Sequence, residues 1–126
     1  MPKMDLSQLR MPYNTLKNGL LESYVSKANP FLTIKEWINH AIEAKAPEPN
    51  TIFVSTVDSR MRPSCRPVLL KEIIETGDSK GLVFYTNACS RKAAEMKENP
   101  YVAGTMYWPE THRTIRVEGT GCYFLK

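Results

Sequence analysis

Residues 51–71 read TIFVSTVDSRMRPSCRPVLLK. Two extended runs flank a polar break. Thr51 to Val57 is β-branched and apolar, the composition that fits a pleated, half-buried strand. Asp58-Ser59-Arg60-Met61 reads as a turn. Ser64 to Lys71 is a second strand. Pro67 inside it has no N–H to give to a ladder, so an edge or a bulge is expected there.

The same alternation continues downstream. Gly77-Asp78-Ser79, within Glu75 to Lys80, is a hairpin loop, and Gly81 to Thr86 is a third strand. Ser90 to Glu98 is a short helix with Ala93, Ala94 and Met96 facing in, ended by Asn99-Pro100. Tyr101 to Trp108 is a fourth strand. Pro109 to Arg113 turns the chain, and Thr114 to Val117 begins a fifth. Many short strands with mostly short connections predict an antiparallel barrel or closed sheet, interrupted by one crossing helix. The fold class is therefore mainly β with flanking helices, an α+β arrangement.

Upstream the period is helical. Thr33 and Glu36 have the spacing of a capping box. Ile34, Trp37, Ile38, Ala41 and Ile42 then form one apolar stripe. Pro47 and Pro49 stop it. The stripe predicts a helix that covers the core, with Trp37 as packing. Residues 1–30 are polar and mixed, with Pro2, Pro12 and Pro30, and are expected to form an arm. Residues 31–126 are expected to form the single domain.

The 126 residues suffice for one domain with one core. The chain is 42% hydrophobic and 24% charged, which is ordinary globular composition. Its net charge of +4 suits a phosphorylated small ligand. No Lys/Arg run of the kind that marks nucleic-acid tails is present, so no nucleic-acid partner is expected. Cys65, Cys89 and Cys122 are scattered and form no C-x-x-C pair, which argues against a zinc site or a disulfide framework. His40 reads as a helix residue and His112 as a turn residue, and no metal is expected. No long apolar run and no signal-peptide pattern occurs, so a cytoplasmic protein without a membrane partner is expected.

Two clusters carry the chemistry. Arg66 and Lys71 bracket Val68, Leu69 and Leu70. Five residues apart in a strand, they point to opposite faces unless a bulge at Pro67 changes the parity. Tyr85, Thr86 and Asn87 then lead into Ser90-Arg91-Lys92. Asn87 or Ser90 can cap the helix, which leaves Arg91 and Lys92 in its first turn. Cations there oppose the helix dipole by roughly 0.3–1 kcal/mol each. A bound anion reverses that balance, since charge-assisted hydrogen bonds are worth roughly 1.5–3 kcal/mol each. Strand-end cations beside a hydroxyl-bearing helix start are what a phosphorylated, flat ligand requires.

At these residues the chain resembles the pyridoxine/pyridoxamine 5'-phosphate oxidase family. The resemblance begins at Met4-Asp5-Leu6 and Arg10-Met11-Pro12-Tyr13. It continues through Arg66 to Lys71, then Phe84-Tyr85-Thr86-Asn87 with Ser90-Arg91-Lys92. Asn99-Pro100, Tyr107-Trp108 and Arg116-Val117-Glu118-Gly119 extend it to about residue 119. It implies an FMN-binding split β-barrel and a homodimer with FMN at the subunit interface. By position, Arg66, Pro67, Val68, Leu69, Tyr85, Thr86, Ser90, Arg91 and Lys92 are implied to hold FMN. Lys71 is implied to meet the substrate phosphate, and Arg10, Met11, Pro12 and Tyr13 to form a substrate segment. The implied reaction converts pyridoxamine or pyridoxine 5'-phosphate to pyridoxal 5'-phosphate. A hydride passes to the flavin, and oxygen reoxidises it.

Two departures stand out. Thr114 occupies a place where the family usually has a flavin-contacting Gln. Loss of that amide bond lowers flavin affinity by about 0.5–1.5 kcal/mol. The family also continues well past residue 119, so a fragment, splice product or incomplete gene model is expected, with an open barrel edge. A truncated, non-catalytic FMN or pyridoxal-phosphate binder, or a regulatory paralogue, is the alternative reading.

Overall fold

The computed structural model describes residues 3–9 and 29–122. Five strands and two helices fill the second of these stretches. Helix α1 spans Pro30–Glu43, and strands β1 (Thr51–Val57), β2 (Pro63–Thr76) and β3 (Ser79–Phe84) follow. Helix α2 (Arg91–Glu98) leads to β4 (Tyr101–Trp108) and β5 (Arg113–Thr120). The strands form one antiparallel sheet in the order β3-β2-β1-β4-β5, curled into a half-barrel. The expected antiparallel barrel thus exists as an open sheet. No helix among the described residues is long and apolar enough to cross a membrane. Most of the expected arm, including Arg10 to Tyr13, lies outside the described residues.

Alternation in β1 sets the two faces. Ile52, Val54 and Thr56 point inward and are buried, whereas Phe53 points outward. Met106 and Trp108 of β4 and Leu70 of β2 join them, and Trp37 and Ala41 of α1 close the core. The Trp108 indole N–H donates to the Pro49 carbonyl at 2.7 Å. That bond satisfies the one polar atom a tryptophan brings into a core. Gly104 lies between β1 and β5, opposite Val54 and Val117. A Cβ there would sit 2.8 Å from Ile52 Cδ1 and 3.1 Å from Val117 Cγ2. The close approach of strand and core therefore requires glycine.

Strand β2 serves two partners in succession. Pro63 to Leu69 pairs with β1, and Leu70 to Thr76 pairs with β3. Pro67 is opposite Phe53, and its free side faces no strand among the described residues, so the expected edge is observed. The bulge falls elsewhere, between Leu70 and Glu72, and Lys71 is the extra residue. Pro67 needs no bulge because its missing N–H lies on a strand edge that is open at that point.

Several boundaries differ from expectation. Helix α1 starts a turn before the Thr33/Glu36 pair. The Asn29 side chain accepts from the Phe31 N–H at 3.1 Å, and Pro30 takes the first helical position. Proline there presets the backbone angle and removes an N–H that has no partner anyway. Thr33 is buried and contributes to packing. The hairpin loop shrinks to Gly77-Asp78, with Gly77 at φ 54 and Thr76 paired to Ser79. A glycine at the first central position is what a tight primed turn needs. The third strand ends at Phe84, so Tyr85 and Thr86 belong to the following loop. In α2, Ala93 and Glu95 are buried and Ala94 is exposed. The expected inner position of Ala94 is wrong because the helix turns its carboxylate toward β1.

Candidate anion site between strand β2 and helix α2

Arg66 shares the inner face of β2 with Val68 and Leu70. Its Nη1 donates to the Val54 carbonyl at 3.1 Å and to the Thr56 hydroxyl at 2.8 Å. Its Nη2 lies 3.7 Å from Glu95 Oε2. The fully buried Thr56 hydroxyl donates to the same Oε2. Arg91 completes the set, with its Nε donating to Glu95 Oε1 at 2.6 Å. Both oxygens of one buried carboxylate thus face guanidinium groups from two different elements.

The local sequence explains why the groups meet. Glu95 is one helical turn beyond Arg91, the spacing that lets the pair face each other. Ser90 caps α2, its Oγ accepting from the Ala93 N–H at 3.2 Å. Asn87 instead builds the approach loop, its side chain accepting from the Cys89 N–H at 2.8 Å. The Thr86 and Ser90 hydroxyls lie 3.3 Å apart at the same helix start. Lys92 follows in the first turn and is half-buried.

The electrostatics are consistent with this arrangement. The Thr56 hydrogen bond is the main reason the Glu95 carboxyl sits below its ordinary 4.5. Burial opposes the shift, and Arg91 and then Arg66 reinforce it. Asp58 in the β1–β2 turn is lowered chiefly by the Arg62 backbone N–H, with a smaller part from Arg91. Arg66 and Arg91 outnumber the one Glu95 carboxylate between them, and Lys92 adds a cation in the first turn of α2. A net positive charge suits a phosphate monoester, which carries about −1.5 to −2 at neutral pH. Arg91 keeps its side chain largely exposed, and its two terminal nitrogens have no hydrogen bond among the described residues. Guanidinium groups, hydroxyls and a helix start form a donor set that fits such an anion.

Other expected site residues lie apart from this cluster. Pro67 is exposed on the outer face, and Leu69 is half-buried on that face. Lys71 is exposed at the bulge. Tyr85 is exposed in the loop. Thr114 is exposed on β5 opposite Tyr107, two strands beyond β1 and on the outer face. An outer hollow of about 480 Å³ between β1, β4 and β5 is lined by Val57, Tyr101, Glu118 and their neighbours, and contains none of the expected residues. Thr56 and Glu95 are the residues that sequence reading missed. The i, i+4 spacing of Arg91 and Glu95 was the available signal for the second.

Comparison with known proteins decides the family. A sequence model of pyridoxamine 5'-phosphate oxidase matches residues 38–124. The chain belongs to the pyridoxamine 5'-phosphate oxidase family. A pyridoxine/pyridoxamine 5'-phosphate oxidase of Paraburkholderia phytofirmans is 45% identical over 114 residues, which is 90% of this chain and 50% of that protein. The Neisseria gonorrhoeae protein of the same name is 41% identical, covering 92% of this chain and 52% of its own length. The chain thus spans about half the length of these curated relatives. Among solved structures, PhzG from Burkholderia lata, in complex with tetrahydrophenazine-1-carboxylic acid, superposes with TM-score 0.71. It is 30% identical over 80% of this chain and 48% of its own. A pyridoxamine 5'-phosphate oxidase-related, FMN-binding protein from Nostoc punctiforme shares the fold with TM-score 0.63 at 22% identity, over 75% of this chain and 48% of its own.

Proposed function

We propose that this chain binds FMN and acts as an oxidase of pyridoxamine or pyridoxine 5'-phosphate, with oxygen as acceptor and pyridoxal 5'-phosphate as product. The convergence of Arg66 and Arg91 beside the Thr86 and Ser90 hydroxyls carries the reading. In it, Arg66, Arg91, Lys92, Thr86 and Ser90 hold the cofactor phosphate. The backbone from Arg66 to Leu69 and the exposed Tyr85 border the ring system. When bound, FMN supplies the hydride acceptor and its reoxidation by oxygen. Lys71, from the bulge, takes the substrate phosphate, and Arg10 to Tyr13 form the substrate segment. Thr114 lies on the opposite face of the sheet from Arg66, so both reach one flavin only if two copies of the chain build the site. A homodimer is therefore part of the reading. The protein's share of the chemistry is positioning and charge neutralisation.

Purified protein incubated with excess FMN and desalted should keep the flavin absorbance bands. With pyridoxamine 5'-phosphate it should consume oxygen and release peroxide. A colourless protein after desalting defeats the reading. Retained flavin without turnover removes the oxidase and leaves a non-catalytic binder.

A further inference from the structure

Glu95 lies where an anion-binding cluster ought to exclude a carboxylate. A negative charge beside two guanidinium groups competes with any incoming phosphate. Yet the chain buries this carboxylate and fixes it. Thr56 donates to Oε2, Arg66 faces the same oxygen, and Arg91 Nε donates to Oε1. Thr56 also accepts from Arg66, so hydroxyl, carboxylate and guanidinium form a closed triangle. The Val54 carbonyl secures Arg66 from the other side. Each arginine spends some of its N–H groups on this frame and keeps others. Among the described residues, Arg66 keeps Nε without a hydrogen bond, and Arg91 keeps both terminal nitrogens.

Two long cationic side chains left free would repel each other and sample many rotamers. Ordering such a side chain costs rotamer entropy, and arginine is among the residues that lose most. A shared carboxylate meets that cost during folding, so the ligand does not meet it on binding. We propose that Glu95 is a positioning residue: its carboxylate, anchored by Thr56, presets the spacing of Arg66 and Arg91 for a phosphate monoester. The proposal rests on the reading that these two arginines hold the cofactor phosphate. It adds that the clamp is assembled before the ligand arrives.

Coulomb's law and positioning predict opposite signs for one substitution. Glu95→Gln raises the local charge by one unit. Were Glu95 only a competing anion, FMN would bind more tightly. Under positioning, FMN binds about tenfold more weakly, because one charge-assisted anchor is lost. Riboflavin, which lacks the phosphate, separates this from general damage to the fold. The experiment titrates FMN and riboflavin, by quenching of flavin fluorescence, into wild-type protein, Glu95→Gln, Glu95→Asp, Thr56→Val and Arg91→Ala.

The expected result is a weakened FMN affinity with unchanged riboflavin affinity in Glu95→Gln. Glu95→Asp keeps the charge but is too short to span both arginines, and it should lose FMN affinity by a similar factor. Thr56→Val should lose less, in the same direction. Unchanged or tighter FMN binding by Glu95→Gln overturns the proposal, as does an equal loss for riboflavin. If Arg91→Ala keeps the full preference for FMN over riboflavin, the phosphate reading itself fails. If Arg91→Ala loses that preference while Glu95→Gln keeps it, only the positioning role fails.

Discussion

Arg66 and Arg91 come from a strand and a helix and meet on opposite oxygens of a single carboxylate, that of Glu95. Arg66 is held from strand β1 and helix α2, whereas Arg91 is held within its own helix by the same carboxylate. The strand supplies the inner-face position, the helix supplies the i, i+4 spacing, and Thr56 of β1 joins the two. Local folding and long-range packing thus fix the distance between two like charges.

Acid should weaken the fold through this carboxylate. Glu95 has a folded pKa below the ordinary 4.5, so it releases its proton more readily in the folded protein. Its contribution is therefore present above the unfolded value and lost as pH falls through the folded one. Glu75, lowered chiefly by the Lys35 contact, acts in the same direction. Urea midpoints should be flat near neutrality and fall below about pH 4.5. In Glu95→Gln that fall should be shallower, and an unchanged acid limb would count against the assignment.

Met106→Ala should cost about 2–5 kcal/mol, since the side chain is 1% exposed at the centre of the core. Tyr107→Ala, one residue on and 57% exposed, should cost far less. Chemical denaturation of the two variants under identical conditions checks the contrast. Equal losses would mean that the outer face of β4 is covered in solution.

Gly104→Ala should destabilise by about 1–3 kcal/mol through overpacking against Ile52 and Val117. Gly81→Ala is the control, since a Cβ there meets nothing within 4 Å. A thermal melt of both proteins separates packing from a general glycine effect.

Thr114→Gln tests the two-chain site. If Thr114 of one copy borders the flavin of the other, the added amide should tighten FMN binding by about 0.5–1.5 kcal/mol. The gain should appear for riboflavin too, because the amide addresses the ring and not the phosphate. No change in either titration would remove Thr114 from the site.

Much of the fold was legible in the sequence. The bounds of β1 and β4 follow from β-branched and aromatic alternation, and the apolar stripe located α1. The misses were in capping and in parity. Asn29-Pro30 outcompeted the Thr33/Glu36 pair because proline at the first helical position favours the earlier start. The bulge at Lys71 was invisible because it comes from β2 changing partners, a fact of topology that no local pattern records. Of the site, the cations were legible as cations, since Arg91 and Lys92 open a helix and Arg66 leads an apolar run inside a strand. Glu95 was not, because a carboxylate on a short helix reads as a solvated charge until the facing strand is known. Thr56 was hidden among the β-branched residues of an ordinary strand.

The divided loyalty of β2 sets how the chain tolerates insertions and deletions. One looped-out residue already separates the half that meets β1 from the half that meets β3. A second residue added at that joint can be absorbed in the same way, with Arg66 still facing helix α2. One residue removed between Arg66 and the joint would either use up the looped-out residue or invert the faces of the residues that follow Arg66. Length changes among natural variants should therefore collect at residue 71 and avoid the segment just before it.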